Sequence, residues 1–150
     1  MLKKLKELKL KSIIEKHPEL PYPESFLGKW SDKTANGLTK CVIEYARLMG
    51  AQAERINTTG RPRDDRKVYT DVLGHKRQVG SLTWLKTAGV RGSADVSITY
   101  KGKSIKVEVK VGKDRQSDDQ KKYQRSIEDA GGIYYITRTF DDFYEFFNSL

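Results

Sequence analysis

Asp95, in Gly92-Ser-Ala-Asp95, is followed thirteen residues later by Glu108-Val-Lys110, and these ionisable side chains have the types and spacing to act together. Residues 96–100 and 104–111 both alternate between apolar and polar positions, and Lys101-Gly102 between them suits a two-residue hairpin turn. Counting outward from that turn pairs Tyr100 with Lys103, Ile98 with Ile105, Val96 with Val107 and Asp95 with Glu108. Apolar meets apolar in this register, and a slip by one residue would destroy the match. The alternation places Asp95, Ser97, Thr99, Lys106, Glu108 and Lys110 on one face, and Val96, Ile98, Ile105, Val107, Val109 and Val111 on the other. Two carboxylates opposed across a hairpin, with Cβ atoms about 4.5–5.5 Å apart, repel each other unless a cation lies between them. A hard divalent ion removes that penalty, and magnesium is content with one or two carboxylates, water and substrate phosphate. The backbone carbonyl of Val109 offers a third protein ligand. Lys110, on the same face as Glu108, stands where an ammonium group orients an attacking water and offsets charge growing on a phosphate. Spacing alone leaves a second reading open, in which Glu108 and Lys110 form an ordinary ion pair on a solvated hairpin face.

The surrounding segments follow in a definite order. A first helix ends at Gly50, then come Arg55-Ile-Asn57-Thr-Thr-Gly60, Gly92-Ser-Ala-Asp95, Glu108-Val-Lys110, Lys113-Asp-Arg115-Gln-Ser117-Asp-Asp-Gln120 opening a helix, and Ala130-Gly-Gly132 before a strand. This ordered set, spread over residues 36–143, resembles the PD-(D/E)XK nuclease superfamily and, within it, the VRR-NUC family. The resemblance implies an α/β fold, a restriction-endonuclease-like mixed β-sheet flanked by helices, with a magnesium or manganese site. It implies hydrolysis of DNA phosphodiesters, often by a homodimer acting on branched DNA in the manner of a Holliday-junction resolvase, in a bacterial or phage-infected cytoplasm. Carried over residue by residue, Asp95 and Glu108 match the metal ligands, Lys110 the catalytic lysine and Gln120 the glutamine that follows the lysine strand. Arg55, Asn57, Lys113, Arg115 and Ser117 fall in the matching stretches and are expected to touch DNA. The family's first-helix acid has no direct counterpart: Asn36 stands about where it belongs, and Glu44 is the one acid inside that helix.

Helical phase bears on Glu44 and on Gln120. Leu38, Val42, Tyr45, Ala46 and Met49 form an apolar stripe at helical spacing, and Glu44 points away from it. Lys40 and Arg47, four residues before and three after, offer Glu44 a surface pair instead of a metal. Ser117-Asp-Asp-Gln120 satisfies the capping-box pattern, so Gln120 has a structural role to fill at a helix start. Gln120, Tyr123 and Ile127 also share one stripe, which turns the amide toward the sheet, where it can orient a water or contact phosphate.

Charge agrees with a polyanionic partner: the chain of 150 residues has 29 Lys and Arg against 20 Asp and Glu, a formal charge of +9. The same field would attract RNA, anionic lipid or acidic proteins. Basic residues cluster at the amino end and again in Arg61, Arg63, Arg66, Lys67, Lys76, Arg77, Lys86 and Arg91, within residues 61–93. That stretch is rich in glycine and polar residues and reads as a long irregular arm with only short strands near Val68, Val79 and Leu82. It suits a DNA-cradling loop with Arg and Lys on phosphates and Tyr69 or Trp84 against sugar or base. For Trp84, packing on the core is the favoured alternative.

The domain division reads as a basic amino-terminal arm or helix with a proline-rich lead-in over residues 1–35, then a nuclease domain over 36–150 carrying the basic insertion 61–93. Leu2, Leu5, Leu8 and Ile13 interleave with lysines as in a short amphipathic helix, ended by Pro18, Pro21 and Pro23. Its expected place is docked on the domain or frayed as a DNA-binding arm. No apolar run is long enough for a signal peptide or membrane span. Cys41 stands alone inside a helix, against disulfide scaffolds and cysteine-rich zinc sites. His17 and His75 lack the paired spacing of a metal site, and neither Gly-x-Ser-x-Gly nor a phosphate-loop pattern is present. Phe143, Phe146, Phe147 and Leu150 line one side of a closing helix begun near Thr139, a face to be covered by the sheet or by a second copy. The reading that results is a magnesium- or manganese-dependent DNA endonuclease. A noncatalytic DNA-binding module on the same fold, or an RNA-cleaving nuclease, stands as the alternative.

Overall fold

The computed structural model describes residues 1–57, 60–85 and 89–150; Thr58, Thr59 and residues 86–88, including Lys86 of the expected basic cluster, lie outside the described residues. The elements are α1 (Leu2–Lys16), a 3-10 turn (Pro23–Phe26), α2 (Ala35–Leu48), β1 (Gln52–Arg55), β2 (Arg61–Asp64), β3 (Lys67–Thr70), β4 (Lys76–Val79), β5 (Leu82–Leu85), β6 (Val96–Tyr100), β7 (Lys103–Val109), α3 (Asp118–Asp129), β8 (Ile133–Thr137) and α4 (Phe140–Asn148). Two compact units result, one of Met1–Ile56 with Arg91–Leu150 and one of Asn57–Val90.

The first unit is built around the β6–β7 hairpin. Lys101 and Gly102 both take positive φ, 48° and 74°, the backbone of a type I′ turn, whose twist matches that of the strands it joins. The register is the one the alternation predicts: Tyr100 opposite Lys103, Ile98 opposite Ile105, Val96 opposite Val107. β1 adds antiparallel to β6, with Ala53 opposite Ile98. β8 adds parallel to β7, with Glu108 opposite Ile136, and a parallel neighbour demands a crossover, which α3 supplies. The sheet is therefore mixed, in the order β1-β6-β7-β8, and the class is α/β.

Side-chain alternation divides the sheet into an apolar and a polar face. Ala53, Val96, Ile98, Ile105, Val107 and Val109 are buried in one cluster with Leu38, Val42 and Tyr45 of α2 and Phe140, Phe143 and Phe147 of α4. Tyr45 meets Phe140, Phe143 and Phe147 edge-on, with ring centroids 5.7–6.4 Å apart, the orientation the aromatic quadrupole favours. Leu5 inserts into the same cluster, so α1 is docked on α2 and residues 1–35 contribute to this unit. Thr139 caps α4, its side chain accepting from the Asp142 N–H. The aromatic face of α4 is closed within the chain: Phe143 and Phe147 are buried, and Phe146 stacks on Tyr135 with centroids 3.7 Å apart. Cys41 is a buried free thiol, and His17 and His75 are exposed. No described helix is long and apolar enough to cross a membrane.

The second unit departs from the irregular arm expected for residues 61–93. β2 pairs antiparallel with β5 and β3 with β4, and the register is common to both: Arg61 opposite Leu85, Asp64 opposite Leu82, Lys67 opposite Val79, Thr70 opposite Lys76. Residues 61–70 and 76–85 thus form one two-stranded ribbon, interrupted at Asp65-Arg66 and Gly80-Ser81, where the Asp65 N–H still donates to Ser81 O at 3.1 Å. Charged and polar residues at most positions hide the alternation in the sequence. Trp84, expected against the core, is 61% exposed on this ribbon.

Substituting Phe143→Ala, at the centre of the aromatic cluster, is expected to lower unfolding free energy by roughly 3–5 kcal/mol. Glu44→Ala, which removes only a partly exposed pair with Lys9, is expected to cost under about 1 kcal/mol. Urea unfolding followed by tyrosine fluorescence and circular dichroism compares the two.

Candidate active site

The hairpin ladder begins at Val96, and Asp95 stands one step beyond it, beside the β7 backbone at Glu108 and Val109. Its carboxylate Oδ2 accepts from the Val109 N–H at 2.9 Å, and its own carbonyl accepts from the Ile56 N–H at 2.8 Å. Val109 therefore meets Asp95 through its N–H. Glu108, on the polar face of the sheet, is only 2% exposed and Lys110 only 5%. The solvated-face reading of this pair is corrected by those figures: α3 and Tyr134 cover it.

One amide organises the cover. Ser117 caps α3, accepting from the Gln120 N–H, while the Gln120 side chain returns to the Ser117 N–H. The same side chain donates through Nε2 to Glu108 Oε1 at 2.6 Å and accepts at Oε1 from Lys110 Nζ at 3.0 Å and from the Ser117 N–H at 2.9 Å. Only this amide orientation satisfies all three partners, because the flipped one would set an NH2 group against two donors. Helix cap and site contact are thus one interaction. Ser117, expected on DNA, has its hydroxyl committed to the cap.

Lys110 Nζ also lies 3.1 Å from Glu108 Oε1 and 3.3 Å from Asp114 Oδ2. Burial works to lower its pKa, but the hydrogen bonds and charges of Glu108 and Asp114 hold it above the ordinary lysine value, so Lys110 is an ammonium group. Burial pushes the Glu108 carboxyl above the usual carboxylate range and the Asp95 charge adds to the rise, against the lowering influence of Lys110. Asp95 and Glu108 thus crowd one region, and the one buried ammonium there is shared between Glu108 and the more exposed Asp114. Among the described residues no cluster of three or more His, Cys, Asp or Glu side chains is placed to hold an ion. The donors at hand are the two carboxylates, a set that suits a hard cation completing its shell with water and phosphate.

Three contributors escaped the sequence reading. Tyr134 is buried, and its hydroxyl donates to Glu108 Oε2 at 3.3 Å; burial and then the Glu108 charge push its pKa well up, keeping it a proton donor. Lys121 and Arg138 line a cleft of about 290 Å³ with Lys110, Arg115, Gln116 and Ile136. Four of those six side chains are cationic, a composition fit for a phosphate. Finding Tyr134 needed the β7–β8 register, in which Lys106 faces Tyr134; the run Ile133-Tyr-Tyr-Ile-Thr carries no alternation to reveal it.

The remaining candidates are dispersed. Arg55 ends β1, and its guanidinium donates to Asn36 Oδ1 at 2.9 Å, so both sit at the Asp95 end of the sheet. Glu44 is bound to Lys9 of α1 at 2.6 Å. Its partner is neither of the predicted Lys40 and Arg47, the latter donating to Ala53 O instead. Arg91 is exposed and pairs with Asp119 at 3.0 Å; Lys113 and Arg115 are exposed, as is Asn57. Arg61, Arg63, Arg66, Lys67, Lys76 and Arg77 all belong to the ribbon. Arg63 pairs there with Asp65, Arg66 with Asp64 and Arg77 with Asp71.

No protein-family model matches the chain, and no curated protein matches it significantly.

The seating of α3 depends on Gly92. Its φ is +78°, and a Cβ there would fall 2.4 Å from the Asp119 carbonyl carbon and 2.7 Å from the Gln120 nitrogen, both backbone atoms. Gly92→Ala is expected to lift the first turn of α3, raising amide hydrogen exchange over residues 117–125 by about tenfold or more while the β6–β7 hairpin keeps its protection. Unchanged exchange over 117–125 would mean that this contact does not seat the helix.

Proposed function

We propose that this chain is a metal-dependent DNA endonuclease of the restriction-endonuclease-like type, similar to the VRR-NUC family, that hydrolyses phosphodiester bonds. The observation that carries the reading is the buried Lys110 ammonium, bonded to Glu108 and Gln120 with Asp95 alongside. Burying a carboxylate and an ammonium costs several kcal/mol per ion before their attraction is counted, and an apolar pair would fill the space more cheaply. Retaining two acids and a lysine there, against mutual repulsion of the acids, fits a site made for chemistry.

Asp95 and Glu108 would hold magnesium or manganese, with the Val109 carbonyl as the third protein group. When bound, the ion supplies Lewis acidity and a charge that anchors the phosphate. Lys110 keeps its proton and sets positive charge beside the scissile phosphate, stabilising the extra negative charge of the pentacovalent transition state. Gln120 holds Glu108 and Lys110 at fixed separation, and Tyr134 holds the second Glu108 oxygen. Arg115, Lys121 and Arg138 draw the neighbouring backbone phosphate into their cleft. In the net reaction one water adds across a P–O bond, leaving a phosphate monoester and a free hydroxyl. Branched DNA as substrate, a homodimer as the acting form and a bacterial or phage-infected cytoplasm as the setting rest on the family resemblance.

Asn36, occupied by Arg55 where the family places an acid, favours a second reading, a DNA-binding module that has lost catalysis. Labelled junction, flap, duplex and single-stranded DNA, with RNA alongside, incubated with magnesium, manganese or EDTA, separates the readings. Metal-dependent DNA products are expected, with rates falling roughly 100-fold or more in Glu108→Gln and Lys110→Ala while DNA binding persists. Gln120→Ala is expected to lose roughly 10- to 100-fold, the range for groups that orient a metal ligand. Binding without products under either metal would favour the module, and cleavage of RNA alone would redirect the assignment.

A further inference from the structure

The tip of the β-ribbon shows two aliphatic side chains to solvent. Val72 is 103% exposed and Leu73 77%, in a turn where polar residues are usual. The turn is organised by one carboxylate: Asp71 Oδ1 accepts from the Leu73 N–H and the His75 N–H, each at 2.9 Å, and Oδ2 accepts from Arg77 Nε at 2.9 Å. The Gly74 N–H closes the turn on Asp71 O at 3.0 Å. That carboxylate is largely covered, with 17% of its side chain exposed, and Arg77 first, then the His75 N–H, holds its pKa below the usual range. Val72 and Leu73 are thus presented on a braced turn.

Behind the tip, the unbroken register gives the ribbon two distinct faces. Arg61, Arg63, Lys67 and Arg77 share one, with Leu85 directly opposite Arg61 and Val79 directly opposite Lys67. Arg61 and Lys67 have no ion-pair partner among the described residues. Over residues 61–85 there are six Lys or Arg against three Asp, an excess suited to a polyanion. Ten residues per strand at about 3.3 Å each make a ribbon roughly 30 Å long, close to one turn of duplex DNA. A two-stranded ribbon fits a DNA groove, and proteins that bend DNA insert aliphatic side chains between base steps.

We infer that residues 61–85 form a DNA-kinking wedge, the basic face tracking backbone phosphates while Val72 and Leu73 insert between adjacent base pairs. The inference rests on the DNA reading proposed above and extends it to how the nucleic acid is deformed. A kink is most easily made where stacking is already broken, so the wedge favours junctions and flaps over intact duplex.

The test uses the full chain in EDTA, where cleavage does not intervene, with duplex and four-way-junction DNA carrying 2-aminopurine at successive positions. Saturating wild-type protein is expected to raise emission at one cluster of positions, reporting unstacking. Val72→Ser with Leu73→Ser, both at exposed positions, is expected to abolish that rise while DNA affinity stays within about threefold, because the phosphate contacts remain. Arg61→Ala with Lys67→Ala is expected to lower affinity about tenfold or more and reduce the salt slope by about two. The inference is overturned if the wild type saturates DNA without an emission rise, if the tip variant unstacks as the wild type does, or if the tip variant loses only binding to phosphatidylserine vesicles. Unstacking without cleavage under any metal removes the nuclease reading alone; cleavage without unstacking removes the wedge alone.

Discussion

The ion pair of Glu108 and Lys110 beneath α3 is the interaction on which the molecule's organisation turns. Such a pair holds together only when its geometry is good and its remaining valences are satisfied, since leaving either charge uncompensated in the interior costs several kcal/mol. Gln120 meets that condition by donating to the acid and accepting from the ammonium, and Tyr134 takes the other Glu108 oxygen. The amide is positioned by the capping box at Ser117, and the helix start is held against Gly92. Local helix chemistry, sheet register and site electrostatics are therefore coupled: displacing α3 by an ångström would expose or orphan both charges.

Charge is distributed in two scales. The chain as a whole carries +9, a field that concentrates polyanions at its surface. Asp95 and Glu108 form a local exception, two acids with one buried ammonium close by. A phosphate backbone drawn in by the whole and a cation drawn in by the exception would meet at Lys110. The ribbon adds cations on one face of an extended element and aliphatic side chains at its end, a different use of the same field.

What could be read in the residues was whatever has a short-range signature. The β6–β7 register followed from alternating apolar residues around Lys101-Gly102, and the α3 cap from Ser117 and Gln120 at their spacing. The inward turn of Gln120 followed from its stripe with Tyr123 and Ile127. What escaped depends on long-range placement. Tyr134 reaches Glu108 only because β8 adds parallel to β7 in one particular register, and nothing in the apolar run 133–137 specifies that choice. Glu44 found Lys9 instead of its own helix neighbours because α1 packs across α2, a docking that Leu5 mediates from outside the segment. The ribbon reads as an irregular arm in the sequence because neither of its faces is buried, so the alternation that reveals a half-buried strand has nothing to act on.

The central claim, that Asp95 and Glu108 jointly bind one divalent cation beside Lys110, is tested most directly by crystals grown or soaked in millimolar manganese and measured for anomalous scattering. The account predicts a single strong peak within about 2.0–2.3 Å of both carboxylates, with Lys110 still bonded to Gln120. Crystals that diffract well and show both carboxylates ordered without any such peak, or a peak held by other residues, would contradict it.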